Sequence, residues 1–110
     1  MGELRRKLQS YSCAGPKYRL SRRAAADIDE IADYSIEQFG IRQARRYRDG
    51  LETCFQTLAD NPRLGRSAEQ LAPSLRRFEH QSHIVFYIPE DWGVLVVRVL
   101  HETMDVPGHF

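Results

Sequence analysis

The stretch that most constrains this chain is IRQARRYRDGLETCFQTLADNP, residues 41–62. Ala44, Tyr47, Leu51, Cys54, Phe55 and Leu58 recur there at steps of three and four, while Arg42, Arg45, Arg46, Asp49, Glu52 and Gln56 fill the opposite side. That period belongs to a helix with one apolar stripe; a strand could not present those residues together. Asn61-Pro62 ends it, because proline disfavours helical geometry in the residue before it. A stripe this long must be covered by an apolar surface, and the rest of the chain has to supply it.

Upstream, SRRAAADIDEIADYSIEQFG places Ile28, Ile31 and Ser35 at helical spacing, and Ala24 and Ala32 widen the stripe. Ser21 offers an N-cap and Gly40 a stop. Asp27, Asp29 and Glu30 are read as complements to the positive end of the helix dipole. The link between the two helices is so short that they must fold back as an antiparallel hairpin. Gly50, inside the second helix, costs about 1 kcal/mol relative to alanine, and the reading is close approach to the first helix.

Elsewhere the period changes to two. KYRL (17–20) and LRRFEH (75–80) alternate, SHIVFYIP (82–89) is β-branched and aromatic, and GVLVVRVLH (93–101) is nearly all apolar. PEDWG makes the last turn, and NPRLGRSAEQLAPS is a connector. The expected fold is α+β: a small antiparallel sheet, made of a short first strand plus a three-stranded C-terminal meander, packed on an N-terminal α-helical hairpin.

Alternation assigns faces within that sheet. Ile84, Phe86 and Ile88 oppose His83, Val85 and Tyr87, and Leu75, Arg77 and Glu79 oppose Arg76, Phe78 and His80. In the last strand Leu95, Val97, Val99 and His101 oppose Val94, Val96, Arg98 and Leu100. The side without the arginine is expected against the helices, which sends Arg98 to an open face. There it meets a partner or pairs with a cross-strand acid such as Glu79.

The 110 residues bound the chain to one domain. Residues 1–16 read as a mobile N-terminal extension, and residues 17–110 as a single domain. A net charge of +1 gives no steer toward nucleic acid or a membrane surface. Cys13 and Cys54 form no ligand pattern and read as free thiols of a reducing cytoplasm. No apolar run reaches the ~18 residues of a membrane span, and no apolar segment follows Arg5, Arg6 and Lys7 as a signal peptide requires. His80 and His83 lack a third ligand, so neither a metal nor a cofactor is expected. His101 beside Glu102 is the one acid–base candidate. Without an orienting group and a cation it reads instead as a hydrogen-bonded strand-end histidine.

The frame YRLSRRAAADIDEIADYSIEQFG, then QARRYRDGLETCFQTLADNPRLGR, then LRRF, SHIVFY and VRVLHETMD resembles the ParE toxins of the RelE/ParE superfamily over residues 17–110. LADNPRLGR, SHIVFY and RVLHETMD are specific in combination. The resemblance implies a RelE/ParE-like fold and a bacterial type II toxin. Its implied partner is a ParD-like ribbon-helix-helix antitoxin, and its implied target is DNA gyrase. Operator DNA would be reached only through the antitoxin complex.

The RelE branch instead cleaves mRNA on the ribosome, with a lysine and arginine set on the sheet and a tyrosine near the C-terminus. Here Ile84 falls where the strand arginine would be, Glu102 about where the second would be, and the tail VPGHF has no tyrosine. Arg77 roughly matches one lysine. The resemblance thus implies a binding protein with no catalytic residues. The alternatives are a ribosome-dependent mRNA endonuclease using His101 and Glu102, or a toxin-fold protein kept only for operon regulation. Arg76, Arg77, Arg98, His101 and Met104 are the candidate antitoxin- or target-binding residues, with Val106 and Phe110 as further apolar anchors of the tail. The arginines of the second helix read as a solvated face.

Overall fold

The computed structural model describes residues 17–103. The expected extension, 1–16, and the tail residues Met104, Val106 and Phe110 lie outside the described residues. The elements are β1 (Tyr18–Leu20), α1 (Arg22–Phe39), α2 (Ile41–Asp60), β2 (Arg66–Ser67), β3 (Arg76–His80), β4 (His83–Glu90) and β5 (Gly93–His101).

Both helices end where their caps stand. Ser21 Oγ accepts from Ala24 N–H at 3.0 Å and donates to Val97 O at 2.7 Å, so one side chain starts α1 and ties it to β5. Gly40 closes α1 through its N–H to Ile36 O at 2.9 Å, and Asn61 closes α2 in the same way onto Thr57 O.

The strands form one five-stranded sheet in the order β1-β5-β4-β3-β2. Neighbours from β2 to β5 are antiparallel, but β1 runs parallel to β5, with Tyr18 opposite Val94. The antiparallel expectation for the first strand is corrected, since alternation carries no information on the direction of a distant pair. Two-residue β2 is too short to leave a sequence pattern.

Helix residues Ala24, Ile28, Leu51, Phe55 and Leu58 pack on Val85, Tyr87, Val94, Val96 and Val99. Here the stripe of α2 finds its cover. The opposite face of the sheet is not open, as expected, but is partly covered. Ala68, Leu71, Ala72 and Leu75 of the connector lie over Ile84, Phe86 and Leu100.

Face assignment held along β4 and, in β5, for Val99 and Leu100, but failed for Val94, Val96 and Val97 before them. Phe86 stands opposite Arg98 and Tyr87 opposite Val96, so Val97 is an extra residue in a β-bulge. Val94, Val96 and Val99 therefore all reach the helices, while Val97 and Leu100 pack on the far side. Gly50 is also reassigned: a Cβ there would meet His80 Nε2 at 3.5 Å, so the close neighbour is β3, not α1.

Fully buried Tyr87 ties down the loop after α2. Its hydroxyl donates to Pro62 O at 2.7 Å and accepts from Gly65 N–H at 2.8 Å. Tyr87→Phe strands a buried donor, at an expected cost of roughly 1–3 kcal/mol. Urea denaturation should show a lower midpoint with an unchanged slope; an unchanged midpoint would contradict this.

Candidate functional site

β5 continues to His101, but β1 stops at Leu20, opposite Val96. α1 crosses the gap this leaves. The result is a cleft of about 660 Å³, walled by α1, the start of α2, the β3–β4 turn and the end of β5. Ile31, Tyr34, Phe39, Tyr47 and Val99 make its apolar lining; Asp27, Glu30, His83 and His101 are its ionisable groups. Tyr34 and Phe39 are 59% and 65% exposed, unusual for aromatic side chains and a mark of an unfilled surface.

Asp27 closes the inner end. Its Oδ2 accepts from Arg98 Nε at 2.8 Å and its Oδ1 from Arg98 Nη2 at 2.9 Å. The same Oδ2 accepts the Val99 N–H at 3.0 Å. The hydrogen bond to Asp27 raises the Arg98 pKa against the effect of burial, and the charges of Asp27 and Glu30 add to it. Two expectations are corrected here. Arg98 turns its guanidinium to α1 rather than to an open face or to Glu79, because β1 ends opposite Val96 and leaves the β5 edge at Arg98 open towards Asp27. Asp27 lies beyond the first turn of α1 and serves β5, not the helix dipole.

At the outer end His80 and His83 flank Tyr47, and His101 packs behind His83. Tyr47 Oη and His83 Nδ1 are 2.6 Å apart. The His83 and His101 rings meet edge-on at 5.3 Å, and Tyr47 lies 5.8 Å from His80. Burial pushes His83 down to about 4, helped by the charges of His101 and His80. Burial pushes Tyr47 up to about 12, so it stays protonated and can donate to His83. Gln81, in the turn beside them, holds a left-handed φ of 53°, a local strain at the lip of the cleft.

Because the folded pKa of His83 lies below the unfolded 6.5, the unfolded chain takes up its proton first. The stability from this neutral histidine is complete above pH 6.5 and is lost as pH falls from 6.5 towards 4. Urea midpoints should decline across that window, and His83→Gln should flatten the decline. An equally steep decline in the variant would reject the assignment.

His101 lines the cleft but has a local partner. Its Nδ1 lies 2.7 Å from Thr103 Oγ1 and accepts the Thr103 N–H at 3.2 Å. Among the described residues no carboxylate bonds to it. Arg76 and Arg77 lie elsewhere, beside β2. Arg76 donates to Gly65 O through Nε at 3.0 Å and to Arg63 O through Nη2 at 3.2 Å, holding its own loop. Arg77 sits 5.9 Å over the Phe86 ring, with Glu79 at 3.4 Å. The candidates thus separate into two regions, and Met104 lies outside the described residues.

Sequence reading missed the cleft itself and the Tyr47–His83 contact. Its one available signal was Tyr34 and Phe39, aromatic residues off the buried stripe of α1. Among the described residues no three His, Cys, Asp or Glu side chains are placed to hold a metal ion. No described helix is long and apolar enough to cross a membrane.

Comparison with known proteins gives a consistent result. Residues 18–106 match the family described as ParE toxin of the type II toxin–antitoxin system parDE. The chain is 40% identical over 92 residues to "Toxin ParE1" of Caulobacter vibrioides, covering 84% of this chain and 95% of that protein. It is 38% identical over 91 residues to "Toxin ParE1" of Mycobacterium tuberculosis, covering 82% and 93%. The similarity to "Toxin ParE" of Escherichia coli is 36% over 90 residues, covering 81% and 87%. A chain of the structure "Chromosomal ParDE TA system from P. aeruginosa" superposes with a TM-score of 0.65 at 18% identity, covering 78% of this chain and 95% of that one; this likeness speaks to the fold alone. With helical hairpin, sheet order and relatives in agreement, the chain belongs to the ParE toxin family of parDE type II toxin–antitoxin systems.

Proposed function

We propose that this ParE toxin inhibits DNA gyrase by direct binding, without catalytic chemistry, and that a ParD-like ribbon-helix-helix antitoxin neutralises it. On this reading it acts in the bacterial cytoplasm and reaches operator DNA only through the antitoxin complex. The observation that carries the reading is the fate of the nuclease positions. Ile84, where an arginine would serve RNA cleavage, is buried under the connector. Arg77 is engaged by Glu79 and Phe86. His101 has a threonine rather than a carboxylate to orient it. General acid–base catalysis needs a base of suitable basicity and a stabiliser of developing charge, and among the described residues no carboxylate bonds His101 and Arg77 is engaged elsewhere.

Within that reading Arg77, His101 and Met104 are proposed as direct contacts to antitoxin or target. Arg76 and Arg98 shape the backbone around those contacts. The test is DNA supercoiling by purified gyrase from the cognate organism. Loss of supercoiling with accumulated cleaved DNA is the expected result; unaffected gyrase with folded toxin overturns it. His101→Ala is expected to lower growth inhibition only as far as it lowers stability. If it abolished toxicity while fold and antitoxin affinity stayed intact, ribosome-dependent mRNA cleavage would become the better reading.

A further inference from the structure

Arg42, Arg45 and Arg46 share the solvent face of α2, away from the buried Ala44, Leu51 and Leu58. All three are exposed, and none makes a hydrogen bond or salt bridge among the described residues. Arg48 differs: it borders α1 and reaches Glu52 at 4.0 Å. The arrangement is adverse for arginines that serve only the helix. Arg42 stands in the first turn, where the helix dipole opposes a positive charge. It also precedes Arg45 and Arg46 by three and four residues, a spacing at which like charges repel. Asp49 follows them at the same spacing yet pairs with neither, and a base placed before its acid is the weaker order for such a pair.

The rest of the face narrows what the three can bind. Asp49, Thr53, Gln56 and Asp60 continue it towards the end of α2, so it carries no apolar side chain. A protein partner would need an aromatic or aliphatic anchor at the centre of its contact, and this face offers none. Phosphate groups need no anchor. A guanidinium forks onto two phosphate oxygens, and helical neighbours about 5–6 Å apart can take separate phosphates. None of the three arginines lines the cleft, so the surface is distinct from it.

We propose that Arg42, Arg45 and Arg46 form a phosphate-binding face whose ligand is the DNA held by gyrase. The inference rests on the gyrase reading above and adds that the toxin grips the nucleic acid of its target complex as well as the protein. Phosphate contacts of this kind position a protein without reading base sequence. A net charge of only +1 keeps the affinity of the free chain for DNA weak. The face therefore acts where gyrase has already brought DNA beside it.

The test uses the full chain, gyrase from the cognate organism, a short fluorescent DNA duplex and the antitoxin encoded beside the gene. The main variant combines Arg42→Glu, Arg45→Glu and Arg46→Glu. Glutamate forms helix well and suits a helix start, so the fold should survive, which thermal denaturation checks. The unaltered chain is expected to bind the duplex weakly at low salt, with a slope of log affinity on log salt of about −2.7 for three phosphates. The variant should lose that binding and need about tenfold or more protein to inhibit supercoiling. Arg42→Lys, Arg45→Lys and Arg46→Lys together should keep most of both, and antitoxin binding should stay unchanged in every case. Equal inhibition by the charge-reversed variant, or no duplex binding by the unaltered chain, overturns the phosphate face and leaves the gyrase reading standing. Lost inhibition with duplex binding intact assigns the arginines to the gyrase protein, and lost antitoxin affinity assigns them to an acidic segment of the antitoxin; either result overturns the inference. Gyrase unaffected by the unaltered chain overturns the gyrase reading and this inference with it.

Discussion

Asp27→Ala should lower the free energy of unfolding by about 3 kcal/mol, the lower end of the range for breaking a buried ion pair. The Arg98 and Asp27 side chains are only 13% and 10% exposed, yet the cleft lets some water reach them, which moderates the loss. The variant deprives Arg98 of its bidentate carboxylate and leaves the Val99 N–H bare on the strand edge. A domain of this size has roughly 5–15 kcal/mol to lose, so the effect should be plain in a urea titration. Asp27→Asn keeps the shape and one acceptor and should cost less. Replacing both partners, Asp27→Leu with Arg98→Met, should recover most of the stability, since apolar packing can replace a buried pair. If Asp27→Ala fell within about 0.5 kcal/mol of the unaltered chain, the carboxylate would not be the tie it is described as.

The second large effect is expected at Gly93. A Cβ there would lie 1.8 Å from the Lys17 carbonyl oxygen and 2.7 Å from its carbon, both backbone atoms that cannot rotate away. The same oxygen accepts the Val94 N–H at 3.0 Å, the bond that anchors β1. Gly93→Ala must therefore push β1 off the sheet and pull Tyr18 from the Phe55 ring, now 5.4 Å away. The expected cost is about 3 kcal/mol or more, at or above the usual range for overpacking. Gly50→Ala makes the same chemical change with the opposite sign. Its Cβ would meet His80 at an ordinary 3.5 Å, and helix propensity then favours alanine by up to about 1 kcal/mol. Thermal denaturation of the two variants should separate them clearly. Equal shifts of one sign would show that local propensity, not the approach of β1, governs both positions.

These two sites mark where sequence reasoning reached and where it stopped. Ser21, Gly40 and Asn61-Pro62 were readable as helix boundaries because capping involves residues within one turn of each other. The stripe from Ala44 to Leu58, the three long strands and the faces of β4 were readable because their periods are local. Arg98 stands opposite Phe86, but its reach past the strand edge to Asp27 could not be read from alternation, which fixes the face a side chain starts from and not its partner. Gly50 was sensed as a close approach, but its neighbour, His80, could not be named from helix 2 alone. The candidate site was harder still. His101 was singled out, whereas Glu30, Ile31 and Tyr34 were read only as part of a helix.

The amino-acid sequence by itself determined the elements, their order, the apolar residues of the helical stripes and the family resemblance. All of these are written in spacings of a few residues or in short motifs. Only the tertiary structure decided that β1 runs parallel to β5, that Asp27 meets Arg98, and that a cleft opens where β1 stops short. Each of these joins residues some seventy positions apart. No local period records such a pairing: chain closure brings the two segments together, and burial and hydrogen-bond satisfaction select the register in which they stay.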